Sequence, residues 1–225
     1  NRIAAKGAPP NVLVTGFEPF EQELLNPSWE AVRTLDGWQC GRATVHARLV
    51  PCVFGEALDA LDRAMDELQP TLVICIGQAG GRAEFTPERI AINVDHARVP
   101  DNLGRQPIDV PLVPGAPAAY FSTLPVKAIV RELRAGGVPA SVSNSAGTFV
   151  CNHLFYGLMH RIATHAAAKG ARGGFIHIPY LPAQAARFPG APSMALETLV
   201  DALRITVKTA LAVKQDVAET GGQLH

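Results

Sequence analysis

The chain has 225 residues, 48% of them hydrophobic, with 20 Lys and Arg set against 20 Asp and Glu. That length and apolar share suit one sizeable domain with its own core. A formal charge of zero with no long basic block excludes the concentrated positive face that holds nucleic acid or acidic membrane surfaces. In chain order, residues 1–10 carry no apolar signal-peptide core and read as a flexible arm or cloning remnant, leaving 11–225 as a single α/β domain, expected in the cytoplasm. Val12-Leu-Val-Thr15 reads as a buried strand, and Asn26-Pro27 then caps and starts a helix through about Leu35. Thr44 to Leu49 alternates like a strand. Phe54 to Leu68 repeats apolar residues at helical spacing until Pro70, and Thr71 to Ile76 is a fully apolar strand closed by Gly77. Arg89 to Val94 predicts another strand, followed by a long irregular stretch, Asp95 to Ala119, rich in Pro and Gly. Then come a helix near Pro125 to Arg134, a strand near Ala140 to Ser143, a helix from about Cys151, a strand over Gly174 to Ile178, and a last helix from about Met194 to Val213. The longest apolar runs are strand-sized, so nothing here is expected to span a bilayer. The alternation predicts a mostly parallel sheet covered by helices on both faces.

Cys40, Cys52, Cys75 and Cys151 include no C-x-x-C pair, and a chain this large needs no disulfide staples, so reduced thiols are expected. Cys75 lies within Leu72-Val-Ile-Cys-Ile76 and reads as core packing. Cys151 differs. In Ala146-Gly-Thr-Phe-Val-Cys151-Asn-His-Leu-Phe-Tyr-Gly-Leu-Met159 it stands where a Gly-Thr turn gives way to a helical pattern. Unpaired N–H groups and a partial positive charge at a helix start favour thiolate over thiol. A packed, inert thiol is the alternative, because cysteine is among the most buried residue types.

In a parallel α/β sheet, ligands bind beyond the carboxyl ends of the strands. The unusual residues fall there: Thr15-Gly-Phe-Glu-Pro-Phe20 after the first strand, Gly77-Gln-Ala-Gly-Gly-Arg82 after the third, Thr86-Pro-Glu88-Arg89 beyond it, and His177 in Gly174-Phe-Ile-His-Ile-Pro-Tyr180. Four loops bringing a Cys, a His and a Glu satisfy the inventory for thiol-based acyl transfer. Gly77-Gln-Ala-Gly-Gly81 lacks the G-x-G-x-x-G spacing and the Walker lysine of a phosphate loop.

These segments resemble the pyroglutamyl peptidases, also called pyrrolidone carboxyl peptidases, a class of cysteine peptidase. Gly77-Gln-Ala-Gly-Gly-Arg-Ala-Glu-Phe-Thr-Pro-Glu-Arg-Ile-Ala-Ile-Asn93 resembles the glutamate signature of that family, and Ser143-Asn-Ser-Ala-Gly-Thr-Phe-Val-Cys-Asn-His-Leu-Phe-Tyr156 its cysteine signature. The likeness covers nearly the whole chain. It implies a catalytic triad of Cys151, His177 and Glu88 in a three-layer α/β/α sandwich with a mostly parallel twisted sheet, commonly a homotetramer, acting on N-terminally pyroglutamylated peptides without cofactor or metal. Arg98 matches an arginine segment of the family and is expected near the oxyanion. Glu88 alone would more often be a surface carboxylate, and His177 alone a core imidazole.

A pyroglutamyl ring is a neutral lactam with two apolar faces and an edge bearing one donor and one acceptor. It calls for aromatic walls, for which Phe17, Phe20 and Phe149 with Val150 are the candidates, and for an uncharged polar partner. The resemblance places Asn26 and Gln78 near that ring. His153, two residues beyond Cys151 on a helix, points away from it into core or solvent. His160 and His165 are five apart on different faces, which argues against a zinc pair and for solvated positions; His46 on its strand reads as structural. One departure from the family stands out: paired glycines are usual after Phe20, whereas this chain runs Glu21-Gln-Glu-Leu-Leu25, residues ill-suited to left-handed backbone. A shifted loop is expected there.

Overall fold

The computed structural model describes residues 8–220, so residues 1–7 of the expected N-terminal arm lie outside the described residues. In chain order the elements are β1 (Asn11–Phe17), α1 (Pro27–Val32), β2 (Gln39–Cys40), β3 (Ala43–Val50), α2 (Glu56–Leu68), β4 (Leu72–Gln78), β5 (Thr86–Pro87) and β6 (Ile90–Ile92). After these come β7 (Ala119–Phe121), α3 (Val126–Ala135), α4 (Val150–Thr164), β8 (Arg172–Ile178), α5 (Pro182–Ala185) and α6 (Leu196–Ala212). The main sheet has the order β2-β3-β1-β4-β8-β5. Its four long strands are mutually parallel, and the two-residue edges β2 and β5 run antiparallel.

Side chains alternate across each strand, which splits the core in two. Val12, Val14, Leu72, Ile74, Ile76, Ile176 and Ile178 meet α1, α3 and α6 on one face. On the other, Leu13, Phe17, Val73, Cys75 and Phe175 meet α2 and α4. The central strands are therefore apolar on both sides, as a covered parallel sheet requires, and the α/β/α architecture stands.

Local chemistry sets the boundaries. The Asn26 Oδ1 accepts the Ser28 N–H at 3.0 Å and Pro27 opens α1, whose last turn tightens into a 3-10 turn over Arg33–Leu35. Helix α2 ends on Gln69 in left-handed backbone, one residue before Pro70. The expected strand over Ala140 to Ser143 does not form: only isolated bridges, Phe85 with Ala140 and Glu88 with Ser143, tie that segment to the edge. Strand β6 leaves the main sheet and pairs with β7 as a separate ribbon. The irregular 95–119 segment is pinned, since Asp95 and Val110 exchange backbone hydrogen bonds of 2.8 and 3.1 Å, and the Asn93 amide holds Val113 through both its ends.

Candidate active site

Cys151 is the second residue of α4, after the left-handed Gly147 and the extended Phe149. Its flanking residues anchor this turn. The Asn152 side chain accepts the Ile92 N–H at 3.0 Å and donates to Ile92 O and Val94 O at 2.9 and 3.1 Å. Thr148 exchanges bonds with the His96 backbone, and His153 Nδ1 lies 2.9 Å from Asp95 Oδ2 while its Nε2 accepts the Gly55 N–H at 2.9 Å. His153 is thus a satisfied core imidazole, turned away from the thiol as its spacing implies. Helix geometry leaves the N–H groups of Val150, Cys151 and Asn152 without i−4 acceptors; His153 is the first to find one, Phe149 O at 3.0 Å.

The thiol lies over Gly77, the sixth residue of β4. A Cβ added there would come 2.8 Å from Cys151 Sγ and 2.6 Å from Phe175 Cζ, so only glycine lets the thiol settle against the strand. Gly77 pairs in register with His177 on β8, and His177 shares a sheet face with Phe175, its ring centroid 4.9 Å away. His177 Nδ1 is 2.7 Å from Glu88 Oε1, both residues being buried. Edge strand β5 delivers that carboxylate: Thr86 pairs with His177, and the Glu88 N–H bonds Phe175 O at 2.9 Å. With Glu88 accepting, the Nδ1 carries the proton and Nε2 is left as an acceptor. The structure thus gathers Cys151, His177 and Glu88 at the carboxyl ends of β4 and β8.

Arg82, which sequence reasoning passed over, donates to the same Glu88 Oε1 at 2.7 Å and to Thr86 Oγ1 and Ser145 O at 2.8 and 3.0 Å. Burial pushes the Cys151 thiol well above its ordinary value, with Cys52 and Glu88 adding to the effect and Arg82 opposing it. Burial likewise lowers the His177 imidazole, against the pull of Glu88. The expectation that the helix start alone would favour thiolate is therefore corrected. Desolvation works against the helix start here, disfavouring the charged thiolate and the charged imidazole alike.

The expected wall residues divide. Phe20 and Phe149 face each other at 5.9 Å, and Phe54, unnoticed in the sequence, stands edge-on to Phe149 at 5.4 Å. Phe17 lies deeper, 6.3 Å from Phe175, and Val150 is fully buried beneath the turn. Gln78 is half-buried at the end of β4, its Oε1 accepting from Gln184 Nε2 at 3.0 Å, which leaves its amide N–H groups to donate. Asn26 is buried and committed to Ser28 and to Glu18 O, at 3.1 Å from the latter. Arg98 is exposed, and its carbonyl accepts from the Gln106 amide at 3.2 Å. His160 departs from its expected solvated place: it is half-buried, with Nδ1 2.9 Å from the Tyr120 hydroxyl, whereas His165 is exposed. No group of His, Cys, Asp and Glu suited to a metal occurs among the described residues.

A family model described as pyroglutamyl peptidase matches residues 10–213. The chain belongs to the pyroglutamyl peptidase family. It is 66% identical to a pyrrolidone-carboxylate peptidase of Cupriavidus taiwanensis over 96% of this chain and 100% of that protein. A pyrrolidone-carboxylate peptidase 1 of Ralstonia nicotianae is 65% identical with the same coverage. The crystal structure of pyroglutamyl peptidase I from Bacillus amyloliquefaciens superimposes with a TM-score of 0.91 at 49% identity, over 94% of this chain and 99% of that one.

Within this pyroglutamyl peptidase fold, the loop after Phe20 resolves the departure seen in the sequence. Glu21 and Gln22 both adopt left-handed backbone, with φ of 52° and 62°. Two residues with side chains thus hold backbone that glycine adopts freely, so the expected difficulty shows as local strain. Glu23 is tied to Arg187 and Gln184, which ties the loop to α5. Gln184 had no sequence signal because its role depends on a contact 106 residues away.

Proposed function

We propose that this chain is a cysteine peptidase that hydrolyses the peptide bond after an N-terminal pyroglutamyl residue and releases free pyroglutamate. The observation that carries the reading is the buried 2.7 Å contact between His177 and Glu88, one strand away from a thiol that lies over Gly77. His177 Nε2 takes the Cys151 proton as Sγ bonds to the scissile carbonyl carbon, then returns it to the departing amine as the C–N bond breaks. Water repeats the exchange on the thioester: its proton goes to His177, its oxygen to the acyl carbon, and the C–S bond breaks as the sulfur takes that proton back from His177. Glu88 aims the imidazole and stabilises its charged form, and Arg82 holds Glu88 in place. The free N–H groups of Val150, Cys151 and Asn152 meet the developing oxyanion, with Arg98 an outer contributor to that charge.

Phe20, Phe149 and Phe54 flank the lactam, with Phe17 and Val150 beneath, and the Gln78 amide donates to the ring carbonyl. Asn26 shapes that pocket through the loop it braces. The four cysteines, all free, suit a reducing, cytoplasmic setting. A homotetramer is proposed from the family resemblance, and exposed Leu103, Ile108 and Val110 offer apolar surface for it.

The test is release of a chromophore from pyroglutamyl, prolyl and glutaminyl amides. Turnover of the pyroglutamyl amide alone, lost in Cys151→Ala, is expected. Equal turnover of all three would favour a less selective thiol amidohydrolase. Stoichiometric alkylation of Cys151 without hydrolysis of any amide would favour a binding protein.

A further inference from the structure

Of the two buried imidazoles among the described residues, His177 faces Glu88, whereas His153 has no part in the proposed chemistry. Both its ring nitrogens are nevertheless spent, on segments far away in the chain. The Gly55 N–H donates to Nε2 at 2.9 Å, so that nitrogen offers its lone pair and the proton sits on Nδ1, 2.9 Å from Asp95 Oδ2. The ring also meets Phe54 edge-on, with centroids 5.2 Å apart at 82°. Phe54 meets Phe149 in the same way, at 5.4 Å and 87°. The His153 N–H bonds Phe149 O at 3.0 Å, and residues four apart share a helix face. Phe54 therefore bears on that face of the α4 start, through residues that flank Cys151 by two positions on either side. Its own place is fixed from behind: the Phe54 N–H donates to Asp101 Oδ2 at 2.9 Å, and the Arg105 guanidinium donates to Phe54 O.

Helical spacing turns residue 151 away from 149 and 153, and its thiol lies against Gly77. The first turn of α4 is thus gripped between strand β4 on the thiol side and Phe54 on the other. Resting on the proposed function, we propose that His153 is a positioning residue for the nucleophile: its Nδ1–H tautomer holds the turn at Phe54 and Gly55 against α4, and Phe54 in turn keeps Cys151 Sγ over Gly77. The bond from Gly55 to Nε2 carries this effect. Gly55 stands just before α2 with a φ of 80° and has no side chain to brace it. Without an acceptor at Nε2 the turn loses its tie to α4. Asp95 contributes by fixing which ring nitrogen holds the proton.

The experiment measures kcat and KM on a pyroglutamyl amide for His153→Asn and His153→Gln, with kcat divided by the folded fraction from near-ultraviolet circular dichroism. Asparagine can place an N–H where Nδ1 stands and so keeps Asp95, whereas glutamine can place its amide oxygen where Nε2 stands and so keeps Gly55. His153→Asn should lower kcat at least about tenfold, within the roughly hundredfold that a misplacement of about 1 Å can cost, with KM little changed. His153→Gln should recover most of that loss. A merely structural imidazole would alter the folded fraction, which the division removes. Equal losses in the two variants, a loss confined to KM, or an unchanged kcat would overturn the positioning role while wild-type turnover leaves the peptidase standing. Where a variant does not fold, nitrogen NMR of the wild type with labelled histidine replaces it: an unprotonated His153 Nε2 is expected, and a protonated one overturns the proposal. A wild type that hydrolyses no pyroglutamyl amide overturns both.

Discussion

At the scale of single residues the site depends on a side chain that is absent. Gly77→Ala would drive a methyl group into Cys151 Sγ and Phe175, at 2.8 and 2.6 Å. It is expected to displace the thiol and cost at least a hundredfold in kcat/KM, since misplacement of about 1 Å can cost that much. A Gly77→Ala enzyme with wild-type kinetics would place the thiol elsewhere. The protonation of Cys151 gives a second test. Burial raises its pKa, so in the free protein the thiolate fraction is small near neutrality and grows with rising pH. Iodoacetamide should therefore alkylate Cys151 with an apparent pKa above the ordinary thiol value of about 8.5. Arg82→Gln should move that value higher still, because Arg82 pulls it down. A rate already flat at pH 7 would mean a resting thiolate. The proposed nucleophile, base and orienter were legible as residues in sequence motifs. Arg82 and Gln184 were not, because what matters in them is a hydrogen bond across the fold rather than a spacing.

Elements decide how firmly these residues are presented. Asn152 satisfies three backbone groups of the 92–94 segment, and removing it would leave them unpaired in a partly buried place. Asn152→Ala is expected to cost about 2–4 kcal/mol of stability, and to lower turnover through the shifted start of α4. A urea midpoint equal to wild type would reject the clamp. The loop after β1 offers the reverse effect. Left-handed backbone costs a residue with a side chain about 1–2 kcal/mol, while glycine brings an entropic cost of about 0.5–1 kcal/mol. Gln22→Gly should therefore gain up to about 1 kcal/mol, roughly 2–4 °C in melting temperature for a chain of this size. A lower melting temperature would show that the Gln22 side chain contributes contacts outweighing its strain. The long strands and helices could be read from periodicity and stop signals. The 140–143 segment misled because its apolar alternation serves two bridges instead of a ladder, and β2 and β5, two residues each, are too short to carry a period.

For the whole molecule, buried thiols tie stability to pH. Cys52 and Cys75 are pushed up to about 12 by burial, and Cys151 is raised as well. These groups keep their protons when folded but ionise near pH 8.5 when unfolded. Their contribution is fully present below that ordinary value and is lost as pH rises toward about 12. Urea midpoints should fall steeply above pH 9, and Cys75→Val should flatten part of that fall; an identical slope in both proteins would reject the linkage. The sheet edge carries a different consequence. The outer side of β8 is covered by Thr86, Pro87 and Glu88, and further along by Thr123, whose N–H bonds Gly173 O at 3.0 Å. An uncovered strand is a template for pairing between chains. The stretch that steadies the imidazole is therefore also the guard that keeps β8 from recruiting a neighbouring molecule. If it peels away, the enzyme is silenced and made adhesive in one movement, so aggregation would begin with inactive molecules that are still largely folded.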